Sequence, residues 1–293
     1  MQYDDFRRSD NIEDRRGDEA PIGIPGVSSG GLGIGGLIIV GLISWALGID
    51  PRLVLGGLEM VQGARPPMQQ TGGPARPAGT PTDAQGQFVA AVLGDSEDRW
   101  TEIFAENNRR YERPRLVLFT RATRSACGFA QSAMGPFYCP NDQRVYLDTS
   151  FFDDLQRKFQ GCSGAACKFS YAYVITHEIG HHVQNLLGIL PKVQRAQQAM
   201  GDRERNALQV RVELQADCLA GVWANRAQAK WKFLEPGDVE AALQTASAIG
   251  DDRLQKRAQG YVVPDAFTHG SSAQRMAAFQ KGFKGGQLQS CPL

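Results

Sequence analysis

The sequence predicts a mainly helical α+β domain with a small β-sheet, preceded by one transmembrane helix. Three observations carry this prediction. Helical periodicity recurs through most of residues 84–293, two short apolar runs near the start of that region have strand character, and one uncharged run lies close to the N-terminus. A chain of 293 residues has room for one large domain or two small ones.

Residues 1–30 are polar and charged at first and show no apolar periodicity, which predicts a disordered cytoplasmic tail. Residues 31–49, GLGIGGLIIVGLISWALGI, are 19 residues without a charge, bounded by Asp50 and Arg52. A bilayer span needs about 20 such residues, so this run predicts a transmembrane helix. Residues 50–83 read as a linker, because 62–83 are rich in Pro, Gly and Gln and poor in large apolar side chains. The folded domain then occupies 84–293.

Within it, 84–107 has the pattern of an amphipathic helix, with Phe88, Val92, Trp100, Ile103 and Phe104 facing a core. Leu116 to Phe119 and Gln143 to Asp148 read as strands separated by a Cys- and Gly-containing loop. Helix signals follow at 149–160, 169–187, 203–229, 236–248, 251–259 and 271–281.

Charge bounds the function. The net charge is +1, from 32 basic and 31 acidic side chains, so nothing electrostatic points to a nucleic-acid partner. Arg7, Arg8, Arg15 and Arg16 precede the span, and only Arg52 and Arg65 follow it closely. That bias predicts a cytoplasmic N-terminus on a single-pass protein of the inner or cytoplasmic membrane, with the domain on the periplasmic or extracellular side. Six cysteines allow 15 pairings. Cys162 with Cys167, and Cys127 with Cys139, bracket short loops that are easy to clip in an oxidising compartment. Cys218 and Cys291 are left over, and a buried free thiol is the alternative for each.

The chemistry concentrates in His177-Glu178-Ile179-Gly180-His181-His182, which holds three of the four histidines. On a helix, residues four apart are offset by about 40°, so His177 and His181 project from one face. Their imidazoles suit two corners of a zinc tetrahedron, at about 2.1 Å from the ion. Glu178 falls beside such an ion, where a general base for an activated water belongs. His182 lies about 140° from His177 around the helix and is expected to be a hydrogen-bonded partner on the far side. The flanks, Tyr171 to Ile175 and Leu186-Leu187, are apolar. Burying Glu178 among them without a partner costs several kcal/mol, about 2–7 for a polar group, and a metal with its water removes that difficulty.

A catalytic zinc takes three protein ligands and leaves one position open. Positions 184 and 187 are Gln and Leu, so the same helix does not supply a third histidine. Glu213 and Asp217 are four apart in an apolar, small-residue helix, and no basic residue sits three or four places from either. Packed antiparallel on the first helix, this one would bring Glu213 to the metal and leave Asp217 to orient a ligand histidine. The reverse assignment, and an ion pair with a basic residue elsewhere in the fold, are the alternatives.

Together with these residues, Ser9 to Gly17 (SDNIEDRRG), Gly135 to Pro140 (GPFYCP), Val145 to Asp148 (VYLD), Glu213 to Cys218 (ELQADC) and Phe267 to Arg275 (FTHGSSAQR) resemble the neutral zinc metallopeptidase family of bacteria. The resemblance covers nearly the whole chain. It implies a zincin-like fold, a site of two histidines and one glutamate for Zn2+, and a membrane-anchored protein. The Glu213-x-x-x-Asp217 pair is also similar to that of metallopeptidases of the gluzincin type.

The expected function is zinc-dependent peptide-bond hydrolysis on a peptide or protein substrate, by a metal-activated water with Glu178 as general base. His269 and Tyr146 are candidates for stabilising the oxyanion. His269 has a local alternative, orienting the backbone of its own loop. The strand at Val145 to Leu147 is a candidate for pairing edge-on with an extended substrate. The alternative function is a membrane-tethered binding or regulatory module with a non-catalytic zinc.

Overall fold

A computed structural model of the chain describes residues 1–18, 79–131 and 135–293. The elements are β1 (Ile12–Asp14), α1 (Ala84–Glu106), β2 (Arg115–Phe119), β3 (Ala122–Ser125), β4 (Gly128–Gln131), β5 (Phe137–Cys139), β6 (Arg144–Asp148), α2 (Ser150–Arg157), α3 (Cys167–Leu186), α4 (Ile189–Gln197), α5 (Asp202–Trp231), α6 (Asp238–Ala248), α7 (Asp251–Gln259) and α8 (Ser272–Gly285). The result is a mainly helical α+β architecture with two small sheets. Local signals start its helices. Asp83 accepts from Gly86 N at 2.9 Å ahead of α1, and Ser271 with Gln274 forms a reciprocal capping box ahead of α8.

The larger sheet has the order β1-β2-β6-β5. β1, β2 and β6 run parallel, with Ile12 opposite Leu116 and Leu116 opposite Val145, and β5 is antiparallel to β6. β3 and β4 form a separate hairpin. Side chains alternate along β6. Val145 and Leu147 enter the main core with the helices, whereas Tyr146 joins Val117, Phe119 and Cys139 in a second cluster. β6 is paired with β2 along its length and with β5 from Arg144 to Tyr146, so Val145 and Tyr146 have no free edge, which corrects the expectation that the strand at Val145 to Leu147 receives a substrate strand along its whole length.

The expected tail at 1–30 is corrected over residues 1–18, which are built into the fold. Met1, Phe6 and Ile12 are core residues. Ser9 and Asn11 donate to Glu97 at 2.8 and 2.7 Å. Glu13 is fully buried yet paired with Arg15 at 2.8 Å and Arg144 at 2.9 Å, which offsets the cost of burying its charge. The N-terminal ammonium meets Glu235 and Asp238, each at 2.8 Å.

The predicted span at 31–49 and most of the predicted linker at 50–83 lie outside the described residues, in which no helix is long and apolar enough to cross a membrane. Both flanks of residues 19–78 nevertheless sit side by side: Gly79 N donates to Ile12 O at 2.9 Å and Thr80 Oγ1 to Ser9 O at 3.0 Å. β1 and β2 cannot pair across a bilayer.

α3 is the central helix, packed against α5, α6 and α1, with α8 lying along α5. All six cysteines are paired, as Cys127–Cys139, Cys162–Cys167 and Cys218–Cys291. The last pair replaces the free thiols considered for Cys218 and Cys291. It ties α5 to the C-terminal tail.

Candidate metal centre

From Phe169 to Gln184, α3 is buried at every position except Tyr171 and His181, which are partly exposed. Such a helix must be covered all round, and α5 covers the histidine face. At Gly180 an added Cβ would lie 3.0 Å from the Ala216 carbonyl oxygen, so the two backbones nearly touch there. As numbers rise on α3 they fall on α5: Tyr173 meets Asp217, His181 meets Glu213, and Gln184 meets Val212. The helices are therefore antiparallel, as the spacing requires.

This crossing brings His177, His181 and Glu213 together, with one ligand atom from each lying within 4.8 Å of the others. His177 Nε2 is 3.2 Å and His181 Nε2 3.4 Å from Glu213 Oε2. Each ring's other nitrogen is engaged. His177 Nδ1 donates to Asp217 Oδ1 at 2.8 Å, and His181 Nδ1 to Gln184 Oε1 at 2.8 Å. Both Nε2 atoms are thus left to act as donors to a metal, and Glu213 adds an oxygen. Two nitrogens and one carboxylate, with no fourth protein ligand in the cluster among the described residues, fit a catalytic zinc.

Asp217, assigned above to orient a histidine, stands behind His177 and is itself held. Arg275 of α8 donates to both its oxygens at 2.9 Å, and Tyr173 Oη donates to it at 2.5 Å. Arg275 is the ion-pair partner from elsewhere in the fold. Lying 58 residues beyond Asp217, it carried no local spacing signal. Gln209 Nε2 donates to the second Glu213 oxygen at 2.9 Å, a contact at helical spacing that sequence reasoning passed over.

Charge follows from this packing. Burial works against ionising Glu213, but His181 and His177 outweigh it and hold the carboxyl well below its usual range. Burial likewise opposes Asp217, and Arg275 and then His177 bring it down. Burial lowers His177, yet Asp217 and Glu213 reverse that and raise it to about 10. Glu178 is the opposite case. Burial pushes its carboxyl up, against the pull of His177 and His181. It is 8 % exposed, and no group among the described residues hydrogen-bonds to it.

His182 faces away from the cluster, fully buried, between Tyr138 Oη at 3.0 Å and the Glu112 carbonyl at 2.6 Å. Tyr146 is not brought to the site. Its hydroxyl donates to Asp142 at 2.7 Å and its ring stacks on Phe137, on the sheet face opposite the helices. That corrects its candidacy as an oxyanion donor, and the reason is strand parity. His269 is brought near. Asp251 accepts from the backbone N–H groups of Thr268, His269 and Gly270 at 2.7, 2.6 and 2.9 Å. A second Asp251 oxygen meets His269 Nδ1 at 3.2 Å. Gly270, at φ 94°, sets this loop against Val210 and Leu214, the latter next to Glu213. Burial lowers His269, but Asp251 and then Glu213 raise it above its ordinary value.

The fold and the cluster define a class: a helical α+β protein with a His-His-Glu cluster that could hold a metal, split between two antiparallel helices. The chain belongs to the family described as "Putative neutral zinc metallopeptidase", whose model matches residues 1–293. It is 46 % identical over 299 residues to the uncharacterized protein YpfJ of Escherichia coli (strain K12), covering 99 % of this chain and 98 % of that one. It is 45 % identical over 191 residues to the uncharacterized protein Rv2575 of Mycobacterium tuberculosis (strain H37Rv), covering 62 % of each chain. No solved structure matches it significantly.

Proposed function

We propose that the protein is a zinc-dependent peptidase of zincin-like type acting on peptide or protein substrates. The observation that carries this is Glu178: a buried carboxylate beside a metal cluster, raised by burial and bonded to nothing among the described residues. A purely structural zinc site has no use for it.

His177, His181 and Glu213 would hold the ion. Zinc there supplies Lewis acidity, which makes water nucleophilic near neutral pH and polarises a peptide carbonyl. Glu178 takes the proton from the attacking water and passes it to the leaving amine, a shuttle favoured by a carboxyl raised above its ordinary value. Asp217 fixes the His177 ring, and Arg275 balances the charge that Asp217 adds. His269, favoured as the imidazolium by Asp251, has its Nε2–H free to donate to the developing oxyanion. The test is Glu178→Gln, which should bind zinc as the parent does and lose hydrolysis. Equal cleavage by both proteins overturns the reading.

The proposed compartment is oxidising and outside the cytoplasm, because all six cysteines are paired. The pairing of β1 with β2 supports residues 1–18 lying in that compartment too, so any membrane contact through residues 31–49 would be made from one side. Single cysteines placed at the exposed positions Asp5 and Lys281 should label alike with an impermeant maleimide on intact spheroplasts. Opposite labelling contradicts this.

A further inference from the structure

Gln184 follows the histidine cluster on α3 and is fully buried, and Gln215 on α5 is 6 % exposed. Their amides are joined end to end. Gln184 Nε2 donates to the Val212 carbonyl at 2.7 Å and to Gln215 Oε1 at 2.9 Å. Gln215 Nε2 donates to the Cys291 carbonyl at 2.8 Å. Cys291 is held by its disulfide to Cys218, and the following tail by Arg211 donating to the Leu293 carbonyl at 2.6 Å. The tail thus docks on one stripe of α5, at positions 211, 215 and 218.

The direction of this chain is forced. A backbone carbonyl only accepts, so the Cys291 oxygen requires the NH2 of Gln215 and turns that residue's oxygen toward Gln184. Facing that oxygen and the Val212 carbonyl, the Gln184 end must be its NH2. The remaining Gln184 oxygen then faces His181 Nδ1, 2.8 Å away, and accepts its N–H. A His181 ring that carries its proton on Nδ1 presents the lone pair of Nε2 toward His177 and Glu213.

We propose that Gln184 and Gln215 are positioning residues that select the ligating tautomer of His181, and that the C-terminal tail clipped by Cys218–Cys291 anchors them. This rests on reading His181 as a zinc ligand. Val212 alone fixes the sense of Gln184, so Gln184 carries the larger effect. Gln215 and the disulfide hold the amide in place and carry a smaller one. The Cys162–Cys167 clip, at the start of α3, has no part in the chain.

The experiment measures zinc affinity of the full chain by competition with a chromophoric chelator, and the visible spectrum after cobalt substitution. Loss of a partner behind a metal ligand weakens binding by about 10–100-fold. Gln184→Met should show that loss with altered cobalt bands. Gln215→Met and the paired Cys218→Ser/Cys291→Ser variant should each show a smaller loss, and neither should add to Gln184→Met, since all act through one chain. Cys162→Ser/Cys167→Ser should bind as the parent does. Parent-like zinc affinity and cobalt bands in Gln184→Met overturn the proposal, and so does full additivity of the Gln215 and Gln184 losses. A parent that binds no zinc refutes the metal centre itself, a separate outcome. If Gln184→Met does not fold, the milder Gln215→Met and disulfide variants decide by the same readouts.

Discussion

Replacing Gly282 by alanine should damage the metal site from a distance. On α8, a Cβ at this position would overlap the carbonyl oxygen of Cys218 on α5, and it would lie 2.7 Å from that carbonyl carbon and 3.0 Å from Val222 N. Gly221 on α5 faces α8 in the same way, with its own would-be Cβ 2.7 Å from Phe283 N. The helices are therefore in backbone contact, and neither side is a flexible side chain that can yield. Restoring an ordinary contact with that carbonyl oxygen requires the helices to part by more than about 1 Å at this point. Arg275 stands two turns earlier on the same face of α8, and its 2.9 Å bonds to Asp217 leave no slack for that movement. Overpacking of this kind costs about 1–3 kcal/mol. At about 2–4 °C per kcal/mol for a domain of this size, the melting temperature should fall by roughly 2–12 °C. With Asp217 less firmly held, zinc affinity should fall by up to about tenfold. Differential scanning calorimetry and chelator competition on the same samples read both effects. A Gly282→Ala protein with parental melting temperature and parental zinc affinity would refute the claim that α5 and α8 touch through backbone and that Arg275 supports the site.

In the zinc-free protein, His177 is raised from 6.5 to about 10, so its protonated form stabilises the fold fully below pH 6.5 and less as pH climbs toward 10. Melting temperatures of the chelator-treated protein should decline across that window relative to the zinc-loaded protein, where the ion replaces the proton. Parallel curves would argue against the Asp217–His177 coupling. For His269→Ala, kcat/KM should drop by about 10²–10³, the usual loss for one oxyanion donor. Tyr146→Phe should leave it unchanged, and a reversed ranking would restore Tyr146 to the site. A fragment of residues 84–293 lacks β1 and leaves Leu116 and Glu97 uncovered, so it should unfold at lower denaturant than the full chain. Added peptide 1–18 should recover part of the difference. Equal midpoints would mean that the N-terminal strand contributes nothing.

Helix placement was largely legible, because a buried helix such as α3 carries its periodicity and apolar flanks within a few turns. So was the pairing of two short helical motifs, His177 to His181 with Glu213 and Asp217, since a buried acid pair without a local base demands an outside partner. β1 was not legible. Its three residues include one apolar side chain, Ile12, and its buried Glu13 is paired with the neighbouring Arg15 and also with Arg144, which arrives from 131 residues away. Arg275 was hidden for the same reason. The disulfides divide along the same line: the loops at 127–139 and 162–167 close locally, whereas Cys218 and Cys291 are 73 residues apart. Tyr146 failed on parity. A strand's sequence shows that alternate residues face opposite ways, but which face meets the catalytic helix is decided only when the sheet docks. Residues 1–18 illustrate the converse, where high charge suggested a solvated tail and ion pairing within the fold absorbed it.

The central claim is that His177, His181 and Glu213 form one zinc site. Metal content per folded chain, measured by mass spectrometry under native conditions for the parent and for Glu213→Ala, tests it most directly. One zinc in the parent and a strongly depleted Glu213→Ala protein is the predicted result. Undiminished zinc in that variant, or a parent that takes up none, contradicts it.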